Sequence, residues 1–127
     1  MPTGDRLCHG DFHPGNVLVA ADRVSVIDWA SAARGVPEAD HARTVLLLRW
    51  ADLLPGTPLI SRGLMAAGRS AFAHGYARTY GGGSQRPLQL VDSWLAVHAA
   101  ARLPEGIEVE QPKLIGLLDR VRRHAPR

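Results

Sequence analysis

Short apolar runs and longer helical periodicities divide the chain into two parts. Residues 17–19 and 24–27 are valine-rich runs separated by the small or polar residues 20–23, and residues 7–9 form a third short run. Valine favours strands, and a small or polar spacer of this length is typical of a hairpin turn. The first part is therefore predicted to hold a β-hairpin, preceded by an extended segment.

After a loop predicted over residues 29–36, apolar positions recur at helical spacing in four segments. The first is predicted over residues 38–54, and the second from a capping Ser61 to about Tyr80. The third covers residues 87–103, and the fourth starts at Pro112. In the second segment an apolar stripe recurs every fourth residue and is expected to face the core: Leu64, Gly68, Phe72, Tyr76 and Tyr80. The fold class is thus α+β and mostly α, with a short β-hairpin followed by about four helices.

Composition narrows the classes of function. A chain of 127 residues with 46% hydrophobic residues can form one domain with one core. Its net charge of +3 is spread along the sequence without the dense basic stripe of a nucleic-acid-binding protein. No apolar run is long enough to cross a membrane. The chain has a single cysteine, Cys8, so no intrachain disulfide is expected. These features favour a cytoplasmic protein that binds neither nucleic acid nor membrane.

The candidate chemistry is concentrated in two motifs at the start of the chain. The run HGDFHPGN covers residues 9–16, and the triplet IDW covers residues 27–29. Kinases use an Asp followed five positions later by an Asn, with a further Asp downstream, as catalytic base and two Mg²⁺ ligands. On this pattern Asp11 is the base, and Asn16 and Asp28 are the metal ligands. The predicted hairpin would return Asp28 to the loop that carries Asp11 and Asn16.

At these residues the chain resembles the aminoglycoside phosphotransferase and choline kinase-like family. The resemblance implies a protein-kinase-like fold, ATP and Mg²⁺ as cofactors, and transfer of the γ-phosphate to a small-molecule hydroxyl. We interpret His9 and His13 as structural residues that hydrogen-bond the catalytic loop into shape, in preference to a catalytic role. Asp40 would brace the same loop, although a plain role at the start of a helix explains an Asp at this position equally well.

The resemblance covers only the later part of such a domain. The Gly-rich phosphate loop and the strand Lys of a complete kinase are not found; the one lysine is Lys113. Residues 1–127 are therefore interpreted as the C-terminal part of a phosphotransferase domain whose N-terminal lobe is absent. The apolar surface left exposed would be covered by that lobe or by a second copy of the chain, and activity of the chain alone stays open.

Three alternatives follow from the same residues. The first is a zinc-dependent hydrolase. In a strand, the alternating residues His9, Asp11 and His13 would share one face and could bind zinc, with Asp28 as a fourth ligand. The chain could instead be a non-catalytic remnant or half of a split kinase.

For a kinase, the acidic segment containing Glu105, Glu108 and Glu110 suggests a cationic acceptor such as an aminocyclitol, and choline-like amino alcohols remain equally open.

Overall fold

The computed structural model describes residues 4–50, 59–80 and 88–124. Strands β1 (Arg6–Cys8), β2 (Val17–Val19), β3 (Val24–Val26) and β4 (Ala33–Gly35) form two separate two-stranded antiparallel sheets. The predicted hairpin is β2 and β3, with Val17 opposite Val26 and Val19 opposite Val24. The Ala20 N–H donates to the Arg23 carbonyl over 2.9 Å and closes the turn where it was expected.

The prediction of a loop over residues 29–36 is wrong for β4. Its three residues pair with β1, so that Cys8 lies opposite Ala33 and Arg6 lies opposite Gly35. The sequence Ala-Arg-Gly contains no β-branched residue and so has little strand preference of its own. The strand exists because a partner distant in sequence supplies its hydrogen bonds.

The four predicted helices are present as α1 (Pro37–Trp50), α2 (Leu59–Tyr80), α3 (Leu88–Arg102) and α4 (Gln111–His124). Ser61 is not the cap of α2, because the helix begins two residues before it. Pro112 is the second residue of α4, a first-turn position where its missing N–H costs nothing. The predicted end of the first helix and Pro87 lie outside the described residues.

The core is built by α1, α3 and α4. Its buried cluster comprises Ala42, Val45, Leu46, Leu95, Ala99, Leu114 and Leu117, with Trp50, Trp94 and Leu103 among the partly buried side chains around it. The small residues Ala42 and Ala99 are fully buried, which allows α1 and α3 to approach closely. Helix α1 therefore connects the core to the β1–β4 sheet, since it begins just after β4.

The predicted core stripe on α2 is only partly correct. Ala73 is buried and Phe72 and Tyr76 are partly buried, but Leu64 is 77% exposed and Gly68 is also exposed. Helical spacing identifies which residues share a face, but it does not determine whether another element covers that face. The fold is α+β and mostly helical, as predicted at that level. None of the described helices combines the length and the apolar character that crossing a membrane requires.

Candidate active site

The loop between β1 and β2 carries Asp11 and Asn16 and is closed on itself by short hydrogen bonds. A single 3₁₀ turn, Pro14–Asn16, ends the loop, and its Asn16 N–H donates to the His13 carbonyl over 2.9 Å. The buried Asn16 side chain donates from Nδ2 to the Asp11 carbonyl, also over 2.9 Å. The amide nitrogen is thus committed to the loop, and Oδ1 is the side-chain atom that can contact a cation.

The backbone of Ile27 joins this loop to the end of the hairpin. The Ile27 N–H donates to the Asn16 carbonyl over 2.9 Å. Its carbonyl accepts a hydrogen bond from His9 Nε2 over 2.9 Å. Because both polar groups of this residue are held by loop residues, the next residue, Asp28, is fixed beside the Asp11–Asn16 loop.

The buried His9 ring has one tautomer that satisfies both of its contacts. The Asp11 N–H donates to Nδ1 over 3.3 Å, so Nδ1 is an acceptor and Nε2 carries the proton donated to Ile27. The ring also lies 4.5 Å, centroid to centroid, from Trp29. Both nitrogens are used to shape the loop, which suits a structural role.

Asp40, in the first turn of α1, accepts two backbone hydrogen bonds from the start of the loop. The His9 N–H donates to Oδ2 over 2.9 Å, and the Gly10 N–H donates to Oδ1 over 2.7 Å. Gly10 has φ +79°, and a Cβ there would lie 2.4 Å from the Ser31 carbonyl oxygen, so only glycine fits. The geometry favours the bracing interpretation of Asp40 over a plain helix-start role.

The Asp11 carboxylate lies between two basic side chains. His13 Nδ1 accepts the Gly15 N–H over 3.1 Å, so in the neutral ring Nε2 carries the proton, and it lies 3.7 Å from Asp11 Oδ2. Arg43 Nη2 lies 3.8 Å from the other oxygen, Oδ1. With 33% of its side chain exposed, Asp11 remains accessible to a substrate between these neighbours.

Sequence reasoning missed Arg43. It lies three residues after Asp40 in α1, which places the two side chains on neighbouring parts of one helix face. That spacing was the available signal, but it becomes meaningful only once Asp40 is known to contact the catalytic loop.

Asp28 has a left-handed backbone, with φ 60° and ψ 63°. It is the one residue other than glycine with a positive φ among those the structure describes. Trp29 Nε1 donates to the Val26 carbonyl over 2.9 Å across this bend. Such a conformation costs free energy in an L-residue and is concentrated at functional sites, so it is a structural reason to single out Asp28.

The zinc hydrolase alternative is not supported. Strand β1 ends at Cys8, so His9, Asp11 and His13 do not share a strand face. Both His9 nitrogens are engaged within the loop. Within residues 4–50, 59–80 and 88–124, no group of three or more His, Cys, Asp and Glu side chains is arranged to hold a metal. One carboxylate and one amide oxygen, with phosphate oxygens completing the shell, are instead a donor set that suits Mg²⁺.

The acidic segment is largely neutralised by a single arginine. Glu110 is only 2% exposed, and its carboxylate accepts hydrogen bonds from Arg102 Nε over 2.6 Å and from Nη2 over 3.1 Å. Glu105 accepts from Arg102 Nη1 over 2.9 Å. The hydrogen bond to Glu110 is the main cause that raises the pKa of Arg102. The expectation that these two carboxylates bind a cationic acceptor is therefore not supported, because they hold α3 against the start of α4.

Comparison with protein families gives a match over most of the chain: the family model described as the phosphotransferase enzyme family matches residues 2–90. The matched range contains Asp11, Asn16 and Asp28 and the residues that support their loop. Searches of curated proteins and of solved structures found no match.

Proposed function

This chain belongs to the phosphotransferase enzyme family, and on that premise we propose that it transfers the γ-phosphate of ATP to the hydroxyl of a small molecule. The observation that carries the proposal is the backbone of Ile27, whose N–H donates to the Asn16 carbonyl and whose carbonyl accepts from His9 Nε2. This connection supports the proposal because it ties the residue before Asp28 to the loop that carries Asp11 and Asn16, so that the base and both ligands would lie together. Phosphoryl transfer requires that arrangement.

Asp11 is the proposed general base. Its carboxylate takes the proton of the acceptor hydroxyl while the hydroxyl oxygen bonds to the γ-phosphorus and the bond to the β–γ bridging oxygen breaks, releasing ADP. His13 and Arg43 each approach one carboxylate oxygen and restrict the rotation of the side chain. A fixed carboxylate orients the hydroxyl for in-line attack.

Asn16 and Asp28 are the proposed Mg²⁺ ligands. The Asn16 amide nitrogen is bonded to the loop, so its oxygen is the side-chain atom that would contact a cation, and the left-handed backbone at Asp28 is a feature concentrated at functional sites. When bound, Mg²⁺ would neutralise charge on the nucleotide phosphates. His9 and Asp40 support the loop that carries these groups.

The second candidate is a non-catalytic module or one half of a split kinase, in which residues 1–127 form the C-terminal part. An exposed apolar surface on α2 favours this candidate. The surface is formed by Leu59, Ile60 and Leu64. Contiguous surfaces of this kind mark interaction sites. An N-terminal lobe or a second copy of the chain would then complete the active unit.

Calorimetric titration with ATP, first with Mg²⁺ and then with EDTA, tests the proposal. We expect binding that requires Mg²⁺, and Asp28→Asn should weaken it at least about tenfold because one ligand charge is lost. Asp11→Asn should retain binding and reduce transfer to hydroxyl acceptors by about 10²-fold or more, since only the base is removed.

Asp22→Asn, in the exposed hairpin turn, is the matched control and should change neither quantity. Equal and complete loss of ATP binding in the Asp11 and Asp28 variants would contradict the separate roles assigned to them. Absence of any Mg²⁺-dependent binding by the chain, together with recovery on adding a separate N-terminal lobe, would favour the split-kinase candidate.

A further inference from the structure

A pocket of about 320 Å³ lies between the catalytic loop and helices α1 and α2. The loop contributes His13, Pro14 and Gly15, α1 contributes Leu47 and Leu48, and α2 contributes Met65 and Arg69. The volume is at the lower end of the range typical of small-molecule sites. The three elements thus border an open pocket with space for a compact ligand rather than for an extended one.

The pocket is adjacent to the proposed base through a shared side chain. The His13 ring forms part of its wall, and Nε2 of the same ring lies 3.7 Å from Asp11 Oδ2. The ring is held in place because Nδ1 accepts the Gly15 N–H. One side chain, that of His13, therefore separates the pocket from the Asp11 carboxylate.

The pocket walls favour an uncharged, apolar ligand. Leu47, Leu48, Met65 and Pro14 supply most of the surface, and none of the described lining residues is acidic. Arg69 of this wall donates from Nη2 to the Leu47 carbonyl and so links α2 to α1. A cationic amine would lose its hydration against the apolar side chains without gaining an acidic partner among the described lining residues, and Glu105 and Glu110 are already paired with Arg102.

Resting on the proposed function, we propose that this pocket is the acceptor subsite and that it takes the apolar body of a neutral alcohol. Its hydroxyl is directed toward Asp11. The preferred acceptors are then aryl or alkyl alcohols, and polycationic aminocyclitols bind poorly in this part of the site.

The chain offers a selective reporter for this pocket. It contains two methionines, Met1 and Met65, so protein labelled with ¹³C at the methionine methyls gives two resonances. Met65 lines the pocket, and a bound phenyl ring would shift its resonance through ring-current effects and sulfur–aromatic contact. Met1 provides the internal reference. The probes are 3-phenylpropan-1-ol, choline and 2-deoxystreptamine.

We expect 3-phenylpropan-1-ol to shift the Met65 resonance saturably and to leave Met1 unchanged, whereas choline and 2-deoxystreptamine shift neither. Met65→Trp fills the pocket and should weaken binding of 3-phenylpropan-1-ol at least about tenfold. Saturation-transfer NMR measures this binding. Leu64→Trp is the matched control, since it adds the same side chain to the same helix at an exposed position outside the pocket. Circular dichroism establishes that both variants fold.

A Met65 resonance unmoved by 3-phenylpropan-1-ol, an equal or larger shift with either amine, or equal binding by the two tryptophan variants overturns the inference. Calorimetry with ATP and Mg²⁺ on the same samples separates it from the proposed function. ATP binding without a Met65 response rejects the subsite and keeps the kinase. A Met65 response without ATP binding rejects phosphoryl transfer by this chain alone, and with it the assignment of the ligand as its acceptor.

Discussion

Two backbone N–H groups at the entrance to the catalytic loop, those of His9 and Gly10, both donate to Asp40. Gly10 cannot be replaced without strain because of its positive φ and its contact with Ser31. The start of the loop is therefore held by one carboxylate that is distant in the sequence. That carboxylate reaches it from the first turn of α1, thirty residues further along the chain.

Asp40→Asn is expected to lower the free energy of unfolding by about 2 kcal/mol, because an amide offers one acceptor oxygen where the carboxylate offers two charged ones. Urea denaturation measures the change. Asp22→Asn makes the same chemical substitution at an exposed turn and should alter the unfolding midpoint little. Equal effects of the two substitutions would mean that the Asp40 hydrogen bonds contribute nothing specific.

Spacing in the sequence was informative at this scale where the chemistry is local. Asp11, Asn16 and Asp28 were singled out because their separations match a known catalytic pattern, and the structure places them around one loop and one hairpin. Arg43 could not be found in this way, since its contact with Asp11 depends on how α1 packs. The same limitation made His9, Asp11 and His13 resemble zinc ligands until the hydrogen bonds of His9 were known.

Between elements, aromatic rings connect the catalytic loop to two helices. Phe12 of the loop stacks on Tyr76 of α2, with centroids 5.7 Å apart. His41 of α1 stacks against Tyr76 at 5.1 Å and against Tyr80 at 4.3 Å. Tyr80 also donates its hydroxyl proton to the Pro37 carbonyl over 2.7 Å. Burial raises the pKa of Tyr76 to about 12, so its hydroxyl is neutral at physiological pH.

Replacing His41 tests how this stack responds to acid. Burial is the main cause that lowers the pKa of His41 below its ordinary 6.5, and the charge of Arg49 adds to the effect while Asp40 opposes it. The unfolded chain therefore binds a proton at this site at a higher pH than the folded chain does. The contribution of His41 to the free energy of unfolding is unaffected above about pH 6.5 and becomes destabilising as the pH falls below that value. His41→Phe keeps the ring and removes this loss.

We expect His41→Phe to have a flatter dependence of melting temperature on pH between about pH 7 and pH 5 than the parent chain. It should also melt at a higher temperature in acid, because Nδ1 of His41 is buried with no hydrogen-bond partner in the described part of the chain. His74→Phe, on an exposed face of α2, is the control. His98, whose pKa is also lowered by burial, should preserve part of the slope in both variants. Equal slopes of melting temperature against pH for the parent chain and His41→Phe would refute the role of His41 in the loss of stability in acid.

The elements themselves were largely predictable, because a valine-rich hairpin and helical periodicities are local features of the sequence. Strand β4 was not, since its pairing with β1 is supplied by residues far away in the chain. The exposure of the first half of α2 was not evident either, because apolar spacing is the same whether or not a neighbour covers the face.

Across the whole molecule, burial is concentrated where α1, α3 and α4 meet. Leu46 is fully buried in that cluster, whereas Leu64 of α2 projects into solvent. The same residue type thus occupies two opposite environments. Stability is accordingly carried by the three-helix core and not by the apolar surface at the start of α2.

Leu46→Ala is expected to lower the free energy of unfolding by about 3 kcal/mol, because it removes buried methyl groups and leaves a cavity. Leu64→Ala makes the same change at an exposed position and should stay within about 0.5 kcal/mol of the parent. Guanidinium denaturation of both variants measures the difference. A comparable loss for Leu64→Ala would mean that its face of α2 is covered in solution, for example by a second copy of the chain.

The pairing of β1 with β4 also has a consequence for chain length. The β1–β4 pair joins the two ends of the segment that carries the site. Within this segment, the hydrogen bond from Ile27 to Asn16 closes the hairpin. Residues added at the exposed turn between Val19 and Val24 would enlarge only the outermost loop. Doubling a flexible loop costs only about 0.6 kcal/mol of chain entropy. This turn is therefore where the site-bearing segment can vary in length while Asp11, Asn16 and Asp28 keep their places.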